Sequence, residues 1–409
     1  MVHAFHIDEG QVSYRNRWIR TQQWQLENDA GRALFSTSGD PRAHDPAVLG
    51  LHTDGVANTN IIWHANRLLC LEEGHGPIEI DPITLSTRGP YDFSGGLPSN
   101  LTAHPKTDAV TGELIGFANY PSGKFNGDVA YYVFDAAGEL TQSQTIRMPY
   151  SGLIHDFAIT ANFIVFIVCP LTISIQRAMS GGPPMAWEPD KPVHVGVIPR
   201  QNKEQDRAPN VQWFERDACF SWHTLNAWDS NGTITIDLCE QAAPGFPQLD
   251  GKMPAPELNP TYLTRWELSL TGRSEICSTR LAELVVEYPR FDERYATRPL
   301  KHAYFACGGG LGTADIFHHQ ISHFEFDTGQ MYCFDFGQTC AVHEPIFAPR
   351  TTGADEGDGY LLTVVYDEVT DFSRLVVFDA LQISAGPIAT ALVPHRVPIG
   401  FHGAWCPWN

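Results

Sequence analysis

Basic residues are scarce in this sequence, which has 27 Lys and Arg against 47 Asp and Glu and a formal net charge of -20. Binding to nucleic acid or to an anionic membrane surface needs clustered Lys and Arg side chains. The charge balance therefore argues against both kinds of partner. It favours a small or neutral molecule as the ligand.

Long hydrophobic runs and paired cysteine motifs are also missing. The longest apolar run, Phe163 to Cys169, is closed by Pro170 and is far shorter than the roughly 20 residues of a membrane span. The N-terminus does not have the pattern of a signal peptide. The nine cysteines are scattered, with no CxxC pair. We therefore expect a cytoplasmic protein with reduced cysteines and no integral membrane segment.

Helical periodicity is scarce as well, whereas short strands bounded by turn residues recur along the chain. Examples are Ala130–Gly138, the hairpin His323–Phe334 and the hairpin Tyr360–Phe378. Many short strands with almost no helix predict an all-β sandwich, barrel or propeller, and the length favours four-stranded propeller blades. The Pro- and Gly-rich stretches Ser180–Pro184 and Gln241–Pro247 are interpreted as inter-strand loops of one domain spanning residues 1–409.

Four of the seventeen histidines lie among apolar or turn residues: His104, His155, His223 and His402. A single histidine of this kind is commonly structural, because imidazole readily bonds backbone groups. The four contain no HxH or HxxxH pair, so a metal site would have to be assembled from distant strands. The axis of a propeller can bring such strands together. Imidazole ligands alone leave iron, zinc, copper and nickel open.

Other catalytic motifs are weak or absent. No GxSxG motif offers a serine nucleophile. The glycine-rich stretch Gly308–Gly312 lacks the Lys-Ser/Thr of a phosphate loop, and we interpret it as a loop. A zinc or copper hydrolase is also disfavoured, because a hydrolytic metal usually keeps three protein ligands and a water.

Several motifs together resemble the carotenoid cleavage oxygenases and their bacterial lignostilbene- and isoeugenol-cleaving relatives. They are spread over nearly the whole chain, which makes the combination more specific than any one histidine. The motifs are Gly10–Trp18, Ala57–Asn60, Thr102–Lys106 with Thr111–Leu114, His155–Thr160, Trp187–Pro189 with Gly196–Arg200, His223 with Asn226–Trp228, Glu287–Arg290 with Arg294–Tyr295, Glu344–Phe347, Gly357–Leu362 and His402–Trp405.

The resemblance implies a seven-bladed β-propeller with long loops that cap a central metal site. It implies that the four histidines bind one Fe(II) per chain, with O2 as co-substrate. Glu73, Glu287 and Glu344 stand where the family places the carboxylates that support these ligands, and such carboxylates fix the tautomer of a metal-bound imidazole. The implied reaction cleaves a conjugated C=C bond of a stilbenoid, phenylpropene or apocarotenoid and gives two carbonyl products.

Two departures from the family pattern bear on function. The chain begins inside a segment that family members usually precede with tens of residues, so the propeller is expected to be incomplete at its N-terminus. A catalytically inactive, ligand-binding propeller is therefore the alternative function. The second departure is Glu72, since lignostilbene-type members that bind a phenolic hydroxyl commonly have Lys there. Glu72 is either near the substrate, where it would repel a phenolate, or an ordinary solvent-exposed residue.

Overall fold

The structure is a computed structural model that describes residues 1–36, 44–200, 209–272, 275–309 and 317–406. Nearly all of its regular elements are β-strands, as the sequence predicts. The strands are β1 Val2–Asp8, β2 Gln11–Arg17, β3 Asn60–His64, β4 Arg67–Leu71, β5 Ile78–Ile80, β6 Thr87–Pro90, β7 Lys106–Thr107, β8 Leu114–Asn119, β9 Asp128–Phe134, β10 Leu140–Arg147, β11 Phe157–Ile159, β12 Phe163–Val168, β13 Leu171–Ile173, β14 Met185–Trp187, β15 Val193–Pro199, β16 Gln212–Arg216, β17 Phe220–Ser230, β18 Thr233–Gln241, β19 Tyr262–Ser269, β20 Ile276–Arg290, β21 His302–Cys307, β22 Gln320–Glu325, β23 Gln330–Asp335, β24 Cys340–Val342, β25 Ile346–Pro349, β26 Gly359–Asp367, β27 Phe372–Asp379 and β28 Ala389–Val393.

Helices are short. Helix α1 spans Gln22–Ala30 and begins at Thr21, whose side chain accepts a hydrogen bond from the Trp24 N–H. Helix α2 spans Ile175–Met179. Single 3-10 turns occupy Pro46–Val48, Pro256–Leu258, Glu293–Tyr295 and Ile383–Ala385. Within the described residues, neither helix has the length or the apolar character that crossing a bilayer requires.

The strands pair in antiparallel sheets, each built from neighbouring parts of the chain. Four-stranded sheets follow the orders β3-β4-β5-β6, β7-β8-β9-β10 and β11-β12-β15-β16. Strands β17 to β23 form one seven-stranded sheet in chain order. In the last sheet, β24 and β25 both pair with β26, which is followed by β27 and β28. The pairs β1-β2 and β13-β14 form two-stranded sheets.

Hydrophobic side chains join each sheet to the next along the chain. For example, Phe117 of β8 packs edge-on against Phe166 of β12, with ring centroids 5.7 Å apart. The hairpin β1-β2 contacts both ends of the series. Its Val2 packs on the core of the first four-stranded sheet, and its Phe5 packs with Leu362 of the last sheet. The sheets therefore form a closed ring, which is a propeller-like arrangement.

The expected count of seven four-stranded blades is wrong for the described residues. The fifteen-residue strand β20 pairs with β19 up to Val285 and with β21 from Val286 onwards. This shared strand merges two groups of four into one sheet. Between the last and first large sheets, the hairpin β1-β2 supplies two strands, not four. Because β20 belongs to two neighbouring four-stranded groups, the chain has no regular four-strand sequence repeat at this point that could have revealed the blade boundary.

Several local predictions are confirmed. The stretch from Phe163 forms the buried strand β12, and the two predicted hairpins correspond to β22-β23 and β26-β27. Ser180–Pro184 lies in the connection between the paired strands β13 and β14. Of the stretch Gln241–Pro247, Gln241 is the last residue of β18, and the rest begins the connection between the paired strands β18 and β19. All nine cysteines are free thiols, and six are buried. Residues 310–312 of the predicted glycine-rich loop lie outside the described residues.

Candidate metal centre

The four histidines singled out in the sequence come from separate parts of the ring. His104 lies just before β7 and His155 just before β11, while His223 lies near the start of β17. These strands are the first strands of three successive sheets. His402 lies beyond β28, in a segment without regular structure. The sheets thus bring together histidines that are far apart in sequence. His104 and His155 are 51 positions apart, and His155 and His223 are 68 apart.

Their imidazole rings form one cluster. The Nε2 atom of His155 lies 3.1 Å from Nε2 of His104 and 3.4 Å from Nε2 of His223. The ring of His402 has its centroid 4.6 Å from that of His104 and 4.8 Å from that of His223. Ligand atoms of His104, His223 and His402 all lie within 4.8 Å of one another. His155 joins this trio through its two Nε2 neighbours.

Three of the rings are oriented by the three predicted glutamates. Nδ1 of His155 faces Oε1 of Glu73. Nδ1 of His223 lies 2.6 Å from Oε2 of Glu287, and Nδ1 of His402 lies 2.9 Å from Oε1 of Glu344.

An ionised carboxylate only accepts hydrogen bonds, so each of these Nδ1 atoms carries the proton. The free lone pair is then on Nε2, which is the tautomer needed for metal binding. The donor set and its orientation therefore fit a divalent transition metal.

Burial and charge favour the protonation states that this arrangement needs at His104 and Glu344. Burial, and after it the neighbouring histidines, lowers the pKa of His104 well below its ordinary value, so its ring is neutral. Burial alone would raise the pKa of the Glu344 carboxyl, but Arg290 and His402 hold it below the ordinary value. A metal ligand must be an unprotonated imidazole, so a neutral His104 is ready to bind.

A buried carboxylate ties the first three ligand segments together. Asp156 follows His155, and its Oδ1 lies 2.7 Å from Nζ of Lys106, two residues after His104. Its Oδ2 accepts hydrogen bonds of 2.8 Å from both the N–H and the hydroxyl of Thr224, the residue after His223. We call Asp156, Lys106 and Thr224 the Asp156 hub. These contacts hold three sheets together close to the three histidines His104, His155 and His223.

Aromatic side chains border the imidazole cluster. The Trp222 ring is edge-on to His155 at a centroid distance of 4.9 Å. The Tyr288 ring stacks on His223 at 5.8 Å and lies 5.6 Å from His402. Tyr288 has a left-handed backbone, with φ of 54°, and its N–H donates to Glu287. This conformation lets the Glu287 carboxylate and the Tyr288 ring contact the same histidine, His223.

Glu72 is not solvent-exposed, which overturns one of its two interpretations. The residue is 8% exposed, its Oε2 accepts a 2.9 Å hydrogen bond from the Val56 N–H, and its Oε1 pairs with His75. Its carboxylate is thus already bound within its own loop. The hydrogen bond and the negative charge of Glu72 raise the pKa of His75.

Sequence reasoning found the four histidines and three glutamates but gave no role to the residues that hold them. Asp156, Lys106 and Arg290 lie inside the quoted motifs, one to three residues from a predicted ligand or carboxylate. That adjacency is a usable signal, since charged residues are rarely buried without a partner. Partners such as Thr224 and Gly403 lie in distant parts of the chain, however, so the sequence did not reveal what each one contacts.

Known proteins resemble this chain over nearly its whole length. The profile of the RPE65 family, described as "Retinal pigment epithelial membrane protein", matches residues 1–407. Isoeugenol monooxygenase of Pseudomonas putida is 36% identical, over 98% of this chain and 85% of that protein. Lignostilbene-alpha,beta-dioxygenase isozyme III of Sphingomonas paucimobilis is 32% identical, over 99% and 85% of the respective chains.

Solved structures give the same result for the fold. The crystal structure of Pseudomonas brassicacearum lignostilbene dioxygenase superimposes with a TM-score of 0.93 at 33% identity, covering 99% of this chain and 86% of that one. A cobalt-substituted Synechocystis ACO structure superimposes with a TM-score of 0.86 at 26% identity. The family resemblance and the prediction of an oxygenase are confirmed. This chain belongs to the RPE65 family of carotenoid cleavage oxygenases.

Proposed function

We propose that the chain is an Fe(II)-dependent oxygenase that cleaves a conjugated C=C bond with O2 and releases two carbonyl products. The observation that carries the proposal is the set of four clustered imidazoles, three of which have their Nδ1 atoms on carboxylates. His104, His155, His223 and His402 would hold one ferrous ion. The ion would supply the redox chemistry that makes O2 reactive towards an alkene.

The residues of the chain would act by binding and orientation. Four neutral imidazoles leave the metal its full charge and leave coordination positions open, whereas the more common non-haem iron site has two histidines and one carboxylate. Glu73, Glu287 and Glu344 would fix the ring orientations from outside the ligand shell. The choice of iron over zinc or copper rests on the family, because imidazole suits all three metals.

The substrate class is a small aromatic or polyene alkene, by analogy with relatives named for isoeugenol and lignostilbene. Trp222 and Tyr288 border the histidines and offer apolar ring surface to such a molecule. At Glu72 the chain supplies a buried carboxylate instead of a cation, which disfavours a phenolate at that position. We therefore propose that the enzyme prefers substrates that do not place a phenolate next to Glu72.

We also propose that the chain is one domain, with its long connections forming a cap over the site.

The deciding experiment is anaerobic reconstitution with Fe(II), metal analysis, and exposure in air to isoeugenol, a 4-hydroxystilbene and an apocarotenal. We expect one iron per chain and substrate-dependent aldehydes by mass spectrometry. His155→Ala should abolish metal retention and turnover. His323→Ala is the matched control, because His323 is a buried histidine that contacts His302 outside the cluster. A folded protein that takes up no iron would favour the inactive ligand-binding propeller.

The role of Glu72 is tested separately. Glu72→Lys should improve cleavage of the 4-hydroxystilbene, with Glu72→Gln as the control that removes the charge without reversing it. Equal activity of both variants on this substrate would contradict a position near the phenol.

A further inference from the structure

His402 is held differently from the other three histidines. It lies in the irregular segment after β28, so no strand pairing fixes its backbone. Its N–H donates to the Thr59 carbonyl over 3.2 Å. The next residue, Gly403, donates its N–H to Oε2 of Glu344 over 2.8 Å. Segments without regular structure are more mobile than strands unless contacts hold them. Val397 is buried and Cys406 packs on the core of the first four-stranded sheet, and between them the contacts of His402 and Gly403 hold this ring in the cluster.

Arg290, the last residue of β20, completes these contacts. Its Nη2 donates to the Gly403 carbonyl over 3.2 Å, and its Nη1 lies 3.7 Å from Oε1 of Glu344. A further contact of 2.9 Å joins Nη2 to Glu293. The Arg290 side chain is 17% exposed, and that of Glu344 only 4%. The planar guanidinium thus reaches both the backbone of the segment and the carboxylate that orients His402.

We propose that Arg290 is a positioning residue for His402, which clamps Gly403 and Glu344 so that the C-terminal segment presents its imidazole to the other three. The role of His402 as a ligand rests on the proposed function. The clamp itself does not, since Arg290 contacts Gly403 and Glu344 directly. Glu344 accepts hydrogen bonds from His402 and from the Gly403 N–H on its two oxygens, and Arg290 binds the Gly403 carbonyl, which belongs to the next peptide group.

The chemistry of the guanidinium explains why arginine is needed. It presents several N–H donors in a rigid fork and stays charged, whereas lysine offers a single point charge. Without Arg290, the Gly403 carbonyl and one face of Glu344 lose their partner. Arg290→Lys should keep the attraction to Glu344 but lose the second contact, and Arg290→Met should lose both.

The test compares Arg290→Met and Arg290→Lys with Arg200→Met. Arg200 is the matched control, because it is a buried arginine bound to Asp108 and Glu113 away from the histidines. The first measurement is hydrogen exchange of residues 397–406 in the metal-free proteins. The second is the visible spectrum of bound Co(II), which reports the number of ligands, together with its release to a chelator.

We expect faster exchange at Gly403 in Arg290→Met, an altered Co(II) spectrum and metal release about 10- to 100-fold faster, as for other losses of groups that orient ligands. Arg290→Lys should lie between Arg290→Met and wild type, and Arg200→Met should match wild type in all three. If Arg290→Met does not fold, the same comparison is made with Arg290→Lys.

Wild-type exchange and an unchanged Co(II) spectrum in a folded Arg290 variant would overturn the proposal. So would equal changes in Arg200→Met, which would show a general loss of stability. If wild-type protein binds neither Fe(II) nor Co(II), the proposed function fails. The exchange measurement on metal-free protein still decides whether Arg290 holds the segment.

Discussion

Two regions of the molecule hold the same kind of side chain by different means. His104 and His155 lie just before the first strands of two sheets and His223 lies within the first strand of the next, and the Asp156 hub joins these sheets beside the cluster. His402 has no strand and depends on Glu344, Arg290 and the Thr59 carbonyl. In the first region, the rigidity comes from the folded sheets. In the second, a few polar contacts supply it.

The difference predicts which property each region controls. Removing a contact in the Asp156 hub affects the packing of whole sheets, so stability and metal binding should fall together. Removing a contact of the C-terminal segment affects few other residues, so metal binding should fall while stability is nearly kept.

The largest effect is expected for Asp156→Asn. The variant leaves the Lys106 ammonium beside a neutral amide. Breaking a fully buried ion pair in this way costs about 3–5 kcal/mol, and we expect the lower end of that range because the Lys106 side chain is 25% exposed. Urea unfolding should show this loss, and metal content should fall with it. Asp237→Asn is the matched control, because Asp237 is a buried carboxylate that pairs with Arg265 away from the histidines. It should lose stability but retain the metal. An Asp156→Asn protein as stable as wild type would remove the distinction between the two regions.

An intermediate effect on metal affinity is expected when the glutamates that contact His223 and His402 are replaced. Glu287→Gln and Glu344→Gln should each weaken metal binding by about 10- to 100-fold. The loss should be larger for Glu344, because its second oxygen also accepts the Gly403 N–H. Competition with a chromophoric chelator measures both affinities. A larger loss for Glu287→Gln would show that the strand-borne histidine depends more on its carboxylate.

The smallest effect concerns the loop that carries Glu73, the partner of His155. In this loop Glu72 pairs with His75 and raises its pKa above the ordinary value. The pair therefore stabilises the fold fully below the ordinary pKa of histidine and loses that contribution as pH rises through the raised pKa. The His75 side chain is 41% exposed, so the contribution is at most about 1 kcal/mol.

Glu72→Gln should accordingly lower the Tm more at about pH 6 than at about pH 9, where His75 is neutral in both proteins. The His75→Asn variant serves as the control, since Glu72→Gln added to it should show no such pH dependence. The same Tm difference at both pH values would rule out a charged pair at this loop.

The sequence predicted those features that depend on residues close together in the chain. Short segments rich in β-branched and aromatic residues and bounded by turn residues predicted strands such as β9 and β12, which are buried over nearly their whole length. Six of the seven predicted metal-site residues stand in the quoted motifs that this chain shares with the family, and Glu73 was assigned by its position relative to the family pattern. The count of blades failed, because β20 serves two groups of strands and its register changes without a turn signal.

The sequence by itself determined the all-β class and the oxygenase family, and through the family resemblance it indicated four candidate histidine ligands and three supporting glutamates. Only the tertiary structure decided that Asp156 meets Lys106 and Thr224, that Arg290 meets Gly403, and that Glu72 is buried on His75. The physical reason is sequence separation. Arg290 and Gly403 are 113 residues apart, and Asp156 and Thr224 are 68 apart. Which buried charges become partners at such distances depends on how the sheets close into a ring, and no local pattern records that.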